Sequence, residues 1–317
     1  MTVQDLISQA TLWFFAILLR VHDFVKIQLT QHERPLVPGV RVEHFEIPSR
    51  EAGRTIAAIR YTPEGAQGAL PTHVSWQASG WVLKRLGLDR CMHSTLAKRL
   101  NATVIDAAYR KGPWYKYPAA QEDCEDAVAY VFANPAKYDT SRVTLGGSSA
   151  GGCMALTTAM SFGPSKIKGV FSLYPVTHIV PSSDMDSKKQ QNPKFYSGIV
   201  IPSAVMGLFV RAYARRDERA ELAQPRFSPY FGDVSKLPEH VLVACGDADT
   251  LYEDGRKMVE KIHREGSAGQ KQHTAFLSIP NEAHEFNNFP SAPNSFEWRD
   301  KLYDAAVATL RASWGSP

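Results

Sequence analysis

Hydrophobic positions recur along this chain in two alternating rhythms. Over residues 3–29, Leu6, Ala10, Trp13, Ile17, Val21 and Phe24 follow one another at three- and four-residue steps, which predicts a helix with an apolar face. Residues 12–19 are apolar all round, but so short a run does not cross a bilayer, and Arg20, His22 and Asp23 close it. Asp5 sits where a secretory leader carries positive charge, and no A-x-A-like cleavage site follows. Two roles remain, a lid packed over an active site or a helix lying on a membrane surface, with a targeting segment as the residual option.

Beyond a turn at residues 34–39, the rhythm changes to strands. Residues 40–47 and 55–61, joined around Glu51-Ala52-Gly53, predict an antiparallel pair at a sheet edge, and residues 74–76 a short third strand. Helices are expected at 91–100, about 120–132, 251–265 and 296–310, and strands at 103–107, 169–173, 240–245 and 274–279. This regular alternation predicts an α/β fold with a mostly parallel central sheet and helices on both faces. Between 176 and 226 a polar, proline-marked stretch gives way to apolar positions Val205, Leu208, Phe209 and Tyr213 at helical spacing. About fifty residues between two strands is long for a surface loop, so a lid insertion is expected there. The organisation read from the pattern is thus a lid-forming helix region, 1–40, and one catalytic domain, 41–317.

Composition narrows the function. A chain of 317 residues, 44% hydrophobic, is ample for one large buried core. Thirty-six basic against thirty-two acidic residues give a net charge of +4, with basic runs no longer than pairs, so nucleic-acid binding is not expected. Cys91, Cys124, Cys153 and Cys245 are widely spaced and form no C-x-x-C pair; they read as buried thiols of a reducing, cytoplasmic compartment.

Candidate chemistry centres on Gly147-Ser148-Ser149-Ala150-Gly151. The β-branched run before it and the small residues after it predict a strand, a tight turn and a helix, and the five residues fit the G-x-S-x-G nucleophile elbow. Ser149 is then the nucleophile, with the Ala150 N–H and the helix dipole aimed where negative charge develops on an attacked carbonyl. A serine needs a base, and the base an acid to orient it. Chains with this elbow place acid and base on loops after later strands, in the order Ser, Asp or Glu, His. The strand ending near Cys245 is followed by Asp247 and Asp249, two candidate acids, and the strand ending near Ile279 by His284, the base.

Several motifs in this order resemble the hormonesensitive-lipase-like (family IV) α/β-hydrolases, microbial and plant carboxylesterases among them, over residues 74–286. The G-D-S-A-G-G elbow corresponds to Gly147-Ser148-Ser149-Ala150-Gly151-Gly152, and the Y-R-x-x-P…P-A-A-x-x-D segment to Tyr109-Arg110, Pro113, Pro118-Ala119-Ala120 and Asp123. The D-x-L-x-D-E-G motif looks like Asp249 to Gly255, which selects Asp249 as triad acid over Asp247, and H-G-F looks like His284-Glu285-Phe286. The family's H-G-G-G oxyanion loop is altered here to Gln77-Ala78-Ser79-Gly80, followed by Trp81. By position, the resemblance implies backbone N–H donors at Ser79, Gly80 and Ala150.

The resemblance implies a serine carboxylester hydrolase with the triad Ser149, Asp249 and His284, needing no cofactor and no metal. Trp81, Met206 and Phe209 are the expected pocket residues, and a small or medium apolar or aromatic ester is the expected substrate. The altered oxyanion loop motivates a second reading, a cyclase or lyase of natural-product metabolism, in which the Ser79 and Gln77 side chains would touch the substrate. A non-catalytic hormone-binding protein is a third. Beyond the small-molecule ester, the sequence leaves open a membrane surface along residues 3–29 and assembly as a homodimer.

Overall fold

The computed structural model describes residues 3–315 apart from 217–218, with side chains from residue 9 onward; the expectations for the Asp5 and Leu6 side chains lie outside the described residues. The strands are β1 (Val40–Pro48), β2 (Thr55–Pro63), β3 (Leu70–Trp76), β4 (Thr103–Ala107), β5 (Tyr138–Ser148), β6 (Ile167–Leu173), β7 (His240–Gly246) and β8 (Thr274–Ile279). The helices are α1 (Val3–Leu29), α2 (Arg90–Leu100), α3 (Ala119–Ala133), α4 (Ala150–Phe162), α5 (Ser203–Tyr213), α6 (Arg219–Leu222), α7 (Tyr252–Glu265), α8 (Ala268–His273) and α9 (Pro293–Ser313).

All eight strands form one sheet in the order β1-β2-β4-β3-β5-β6-β7-β8. The β1–β2 and β2–β4 pairs are antiparallel, and every pair from β4–β3 to β7–β8 is parallel. Successive residues of a strand point to opposite faces, and the sheet uses both. Ile105, Val170 and Val243 join a core with α3, α4 and α7. Val104, Phe171 and Leu242 join a second core with α2 and α9. The parallel strands all point their C-terminal ends the same way, and the loops leaving those ends carry the candidate site.

β3 starts four residues before the predicted strand. Its first residues, Leu70-Pro71-Thr72-His73, carry a proline and two polar side chains, a poor strand pattern, yet all are buried. His73 is accommodated because its Nδ1 lies 3.0 Å from the Thr144 hydroxyl. Burial holds this histidine neutral, its pKa pushed down to about 3. The short α8 was not predicted from the pattern; a capping box between Ser267 and Gln270 starts it.

Of the two roles left open for α1, a lid would turn its apolar stripe inward, but Trp13, Ile17, Val21 and Phe24 are 43%, 51%, 58% and 61% exposed. The inward face instead carries Ala16 and the helix's charged groups. Arg20 donates to the carbonyls of Val82 (2.8 Å) and Gly112 (3.1 Å), and Asp23 is buried against Arg85. Buried charges require partners, and these partners on the body of the protein fix which way α1 is turned.

Candidate active site

Ser149 lies between the end of β5 and the start of α4, with φ 56° and ψ −118°. A non-glycine residue in that region is strained, by about 1–3 kcal/mol, and the surroundings hold it there: its N–H donates to the Leu173 carbonyl at 2.8 Å, and its carbonyl accepts from Cys153 N–H at 3.0 Å. The flanking glycines are obligatory. A Cβ on Gly151 would lie 1.9 Å from the Trp76 carbonyl oxygen, and one on Gly147 2.4 Å from the Gly151 carbonyl carbon. The turn therefore presses Ser149 out of the sheet end, where it borders a cavity.

His284 sits in the loop after β8. Two backbone hydrogen bonds with Ile199, at 2.8 and 3.0 Å, tie that loop to the 176–226 insertion, and the Tyr174 ring packs 4.5 Å from the imidazole. Its Nδ1 is 2.7 Å from Asp249 Oδ2, and the other Asp249 oxygen accepts from Leu251 N–H at 2.8 Å. Both side chains are buried. Burial by itself would lower the His284 pKa; the charge of Asp249 and its hydrogen bond, with Glu285 adding to them, outweigh that and hold it above the ordinary histidine value. The Nδ1 contact leaves Nε2 as the nitrogen that can take a proton.

The other acidic residues have different work. Asp247 accepts from Asn281 N–H (2.7 Å) and the Asn192 amide (3.2 Å), which shapes the loop after β8. Asp254 accepts from the N–H groups of Thr177 and His178 and pairs with Lys188 at 2.5 Å, anchoring the start of the insertion.

The altered loop after β3 explains itself once its dihedrals are seen. Positive φ falls on Gly80 (54°) and Trp81 (58°), whereas Ala78 and Ser79 are not among the positive-φ residues. The two glycine positions replaced here do not need glycine's freedom, and the one that does keeps it. Gly80 is doubly constrained, since a Cβ there would lie 2.3 Å from the Phe209 ring. The Tyr109 hydroxyl donates to the Gln77 carbonyl (2.8 Å), so Ser79 Oγ, 2.5 Å from it, donates to Tyr109 and accepts from Trp81 N–H at 3.0 Å. Thus the Ser79 hydroxyl is engaged in holding the loop, and Gln77 is buried away from the cavity. The substrate contacts that the cyclase or lyase reading asked of these two side chains find no support in this geometry.

Ser79, Gly80, Ser149, Ala150 and His284 all border one cavity of about 240 Å³, as do the expected pocket residues Trp81, Met206 and Phe209. Trp81 is stacked on Tyr213, with centroids 5.1 Å apart and planes 3° from parallel. Sequence reasoning missed much of the wall. Ile179, Ile201 and Val205 of the insertion contribute, and so do Leu19, His22, Asp23 and Lys26 of α1. It also missed Arg85, which bridges Asp23 (2.8 and 2.9 Å from its Nε) and Glu285, all three buried. Burial would raise Glu285, but Arg85 and then His284 outweigh it and hold this carboxylate below its ordinary range. A charged pair inside an otherwise apolar periodic helix was the available signal for these residues; their partners are too distant in sequence for spacing to reveal.

The chain belongs to a family of the alpha/beta hydrolase fold, which it matches over residues 74–288, and the motif resemblance is borne out. Among its relatives, an arylesterase of Saccharolobus solfataricus is 26% identical over 231 residues, 72% of this chain and 70% of that one. A versiconal hemiacetal acetate esterase of Emericella nidulans is 26% identical over 250 residues, 75% of this chain and 77% of its own. Of solved structures, the thermostable carboxylesterase EstE1 from a metagenomic library superposes with a TM-score of 0.79 at 24% identity, covering 95% of this chain and 98% of its own. The esterase of the archaeon Pyrobaculum calidifontis gives 0.76 at 25%, covering 96% and 97%.

Proposed function

We propose that this protein is a serine carboxylester hydrolase working through an acyl-enzyme. His284 Nε2 takes the Ser149 hydroxyl proton as Oγ bonds to the ester carbonyl carbon, and Asp249 stabilises the imidazolium. The carbonyl oxygen, now an oxyanion, is held by the backbone N–H groups of Ser79, Gly80 and Ala150. The C–O bond to the alcohol breaks, and the alcohol leaves with the proton from His284. Water then gives a proton to His284 and adds to the acyl carbon; the carboxylic acid departs as Ser149 regains its proton. No metal or cofactor takes part.

One observation carries the reading: a serine on a strained elbow borders the same cavity as a buried histidine whose far nitrogen sits 2.7 Å from a buried aspartate. The relatives named for aryl and acetate esters support it. The apolar cavity wall, with Trp81, Met206 and Phe209, suits a small or medium apolar or aromatic ester. Residues 1–40 and the 176–226 insertion serve together as the lid over it. Four free, buried thiols suit a reducing compartment such as the cytoplasm.

The test is intact-protein mass spectrometry after addition of an aryl phosphonate. Stoichiometric labelling that maps to Ser149 and is abolished in His284→Ala is the expected result; a protein that binds the reagent without acquiring its mass overturns the assignment. A chain-length series of p-nitrophenyl esters then defines the acyl preference.

A further inference from the structure

α1 is turned the opposite way from a helix that merely covers a soluble core. Its charged side chains, Arg20 and Asp23, are spent on partners in the body, while Phe14, Ile17, Leu18, Val21, Phe24 and Val25, between 49% and 63% exposed, form one continuous outer face. From Phe14 to Val25 this face runs for about 17 Å along the helix. An apolar surface of that extent marks contact with a partner or a membrane.

The two ends of the face distinguish the occupants. Near the N-terminal half, Trp13 lies 5.9 Å from Trp114, and Trp114 and Tyr115 are exposed beside it. Indole and phenol rings of this kind favour the boundary between lipid and water. Beside the C-terminal half, a recess of about 390 Å³ is bounded by Phe24, Gln28, Arg34, Lys84 and Arg90, and no carboxylate lines it. Among the described residues, neither Lys84 nor Arg90 has an ion-pair partner; Arg34 is buried and its guanidinium is engaged by the Thr30 hydroxyl and the Ile27 and Asn288 carbonyls, so the available charge is that of Lys84 and Arg90. An anionic lipid surface complements both features at once.

We infer that the outer face of α1 and the adjoining basic recess dock this protein on a membrane containing anionic lipid. The apolar side chains enter the acyl boundary and the recess meets lipid phosphate or carboxylate groups. Because the inner side of the same helix borders the cavity, the docked protein opens its site next to the lipid phase. The inference does not depend on ester hydrolysis, since its readout is binding.

The experiment is flotation of the full chain with phosphatidylcholine vesicles, with and without phosphatidylserine. Binding that is markedly stronger with phosphatidylserine is expected. Ile17→Ser and Val21→Ser should each lower the partition coefficient roughly tenfold, from the lost apolar burial. Lys84→Gln should lower it roughly fivefold on the phosphatidylserine vesicles alone. All three residues are exposed and none borders the cavity, so each variant's melting temperature should stay near that of the wild type, which reports that it is folded. Failure of the folded wild type to float with either vesicle overturns the proposal, as does equal flotation with both. So does a dimer, seen by sedimentation velocity, that Ile17→Ser and Val21→Ser dissociate, because the face is then occupied by a second copy.

Discussion

α4 and α1 border the same cavity on opposite plans. From Ala150 to Ala159 α4 is buried on every side, packed against β5, β6 and α3, and close packing together with the Cys153 N–H bond to the Ser149 carbonyl holds the Ser149 backbone. α1 touches the body through a few polar groups and a small apolar contact of Leu12 and Ala16 with Val82, Phe209 and Ala212, and turns its main apolar stripe away. Tight apolar packing is non-directional but dense, which suits an element that must not move during chemistry. Attachment through paired charges is directional and depends on each partner, because a buried charge left alone is costly.

The sharpest way to break this comparison lies at the head of α4. Ser149→Ala should lower ester turnover at least ~10³-fold while leaving the melting temperature near that of the wild type, since the elbow's packing survives and only the nucleophile is lost. His284→Ala should be about as severe. Near-normal turnover in either purified variant removes α4 from the chemistry. Asp249→Asn should cost somewhat less, and it carries a second signature. In the proposed mechanism neutral His284 is the base, and its pKa stands above the ordinary value, so kcat/KM of the wild type should fall as pH drops through a limb lying above about 6.5. Replacing Asp249 removes the main interaction that raises this pKa and leaves burial to lower it, so the limb should move to lower pH. A limb that stays in place, measured by a pH–rate profile, contradicts the pairing.

On the α1 side, Arg85→Met should destabilise the protein by ~3–5 kcal/mol in urea unfolding, because Asp23 and Glu285 become buried carboxylates without their shared partner. Adding Asp23→Leu should restore part of that loss. Gly80→Ala should lower kcat by ~10²-fold with a smaller effect on KM, through displacement of one oxyanion donor by the clash with Phe209. The smallest effect belongs to the outer face: Ile17→Ala should change stability by no more than ~0.5 kcal/mol in buffer, since the side chain is already in water.

Much of this was legible in the residues, and the gaps have physical causes. The strands at 103–107 and 274–279 were legible because their apolar and β-branched runs stand between clear breaks. The elbow at Ser149 was legible because steric need leaves marks in sequence; chain order left Asp247 and Asp249 both open before His284, and the motif resemblance pointed to Asp249, which the structure places 2.7 Å from His284. Periodicity found α1 but left its orientation open, since a count of apolar steps reveals that a stripe exists and never which surface it meets. The deciding contacts join Arg85 to residues 62 and 200 positions away. Similarly, Ala78 and Ser79 suggested a damaged loop only because letters carry no dihedral angles; with positive φ confined to Gly80 and Trp81, the replacements cost the backbone nothing.

The contact between Gly80 and Phe209 bears on how readily this enzyme's substrate range can be altered. Phe209 lines the cavity and also presses on the one loop glycine whose conformation admits no substitute. Trimming that ring to admit a bulkier acyl group would release the flank of the loop, so variants selected at 209 for large esters should lose rate on small ones. Met206, on the same helix and also lining the cavity, has its sulfur 3.9 Å from the Thr250 hydroxyl, while the three atoms nearest a Gly80 Cβ all belong to the Phe209 ring. Substitution at 206 should therefore widen the acyl range at less cost in rate than substitution at 209.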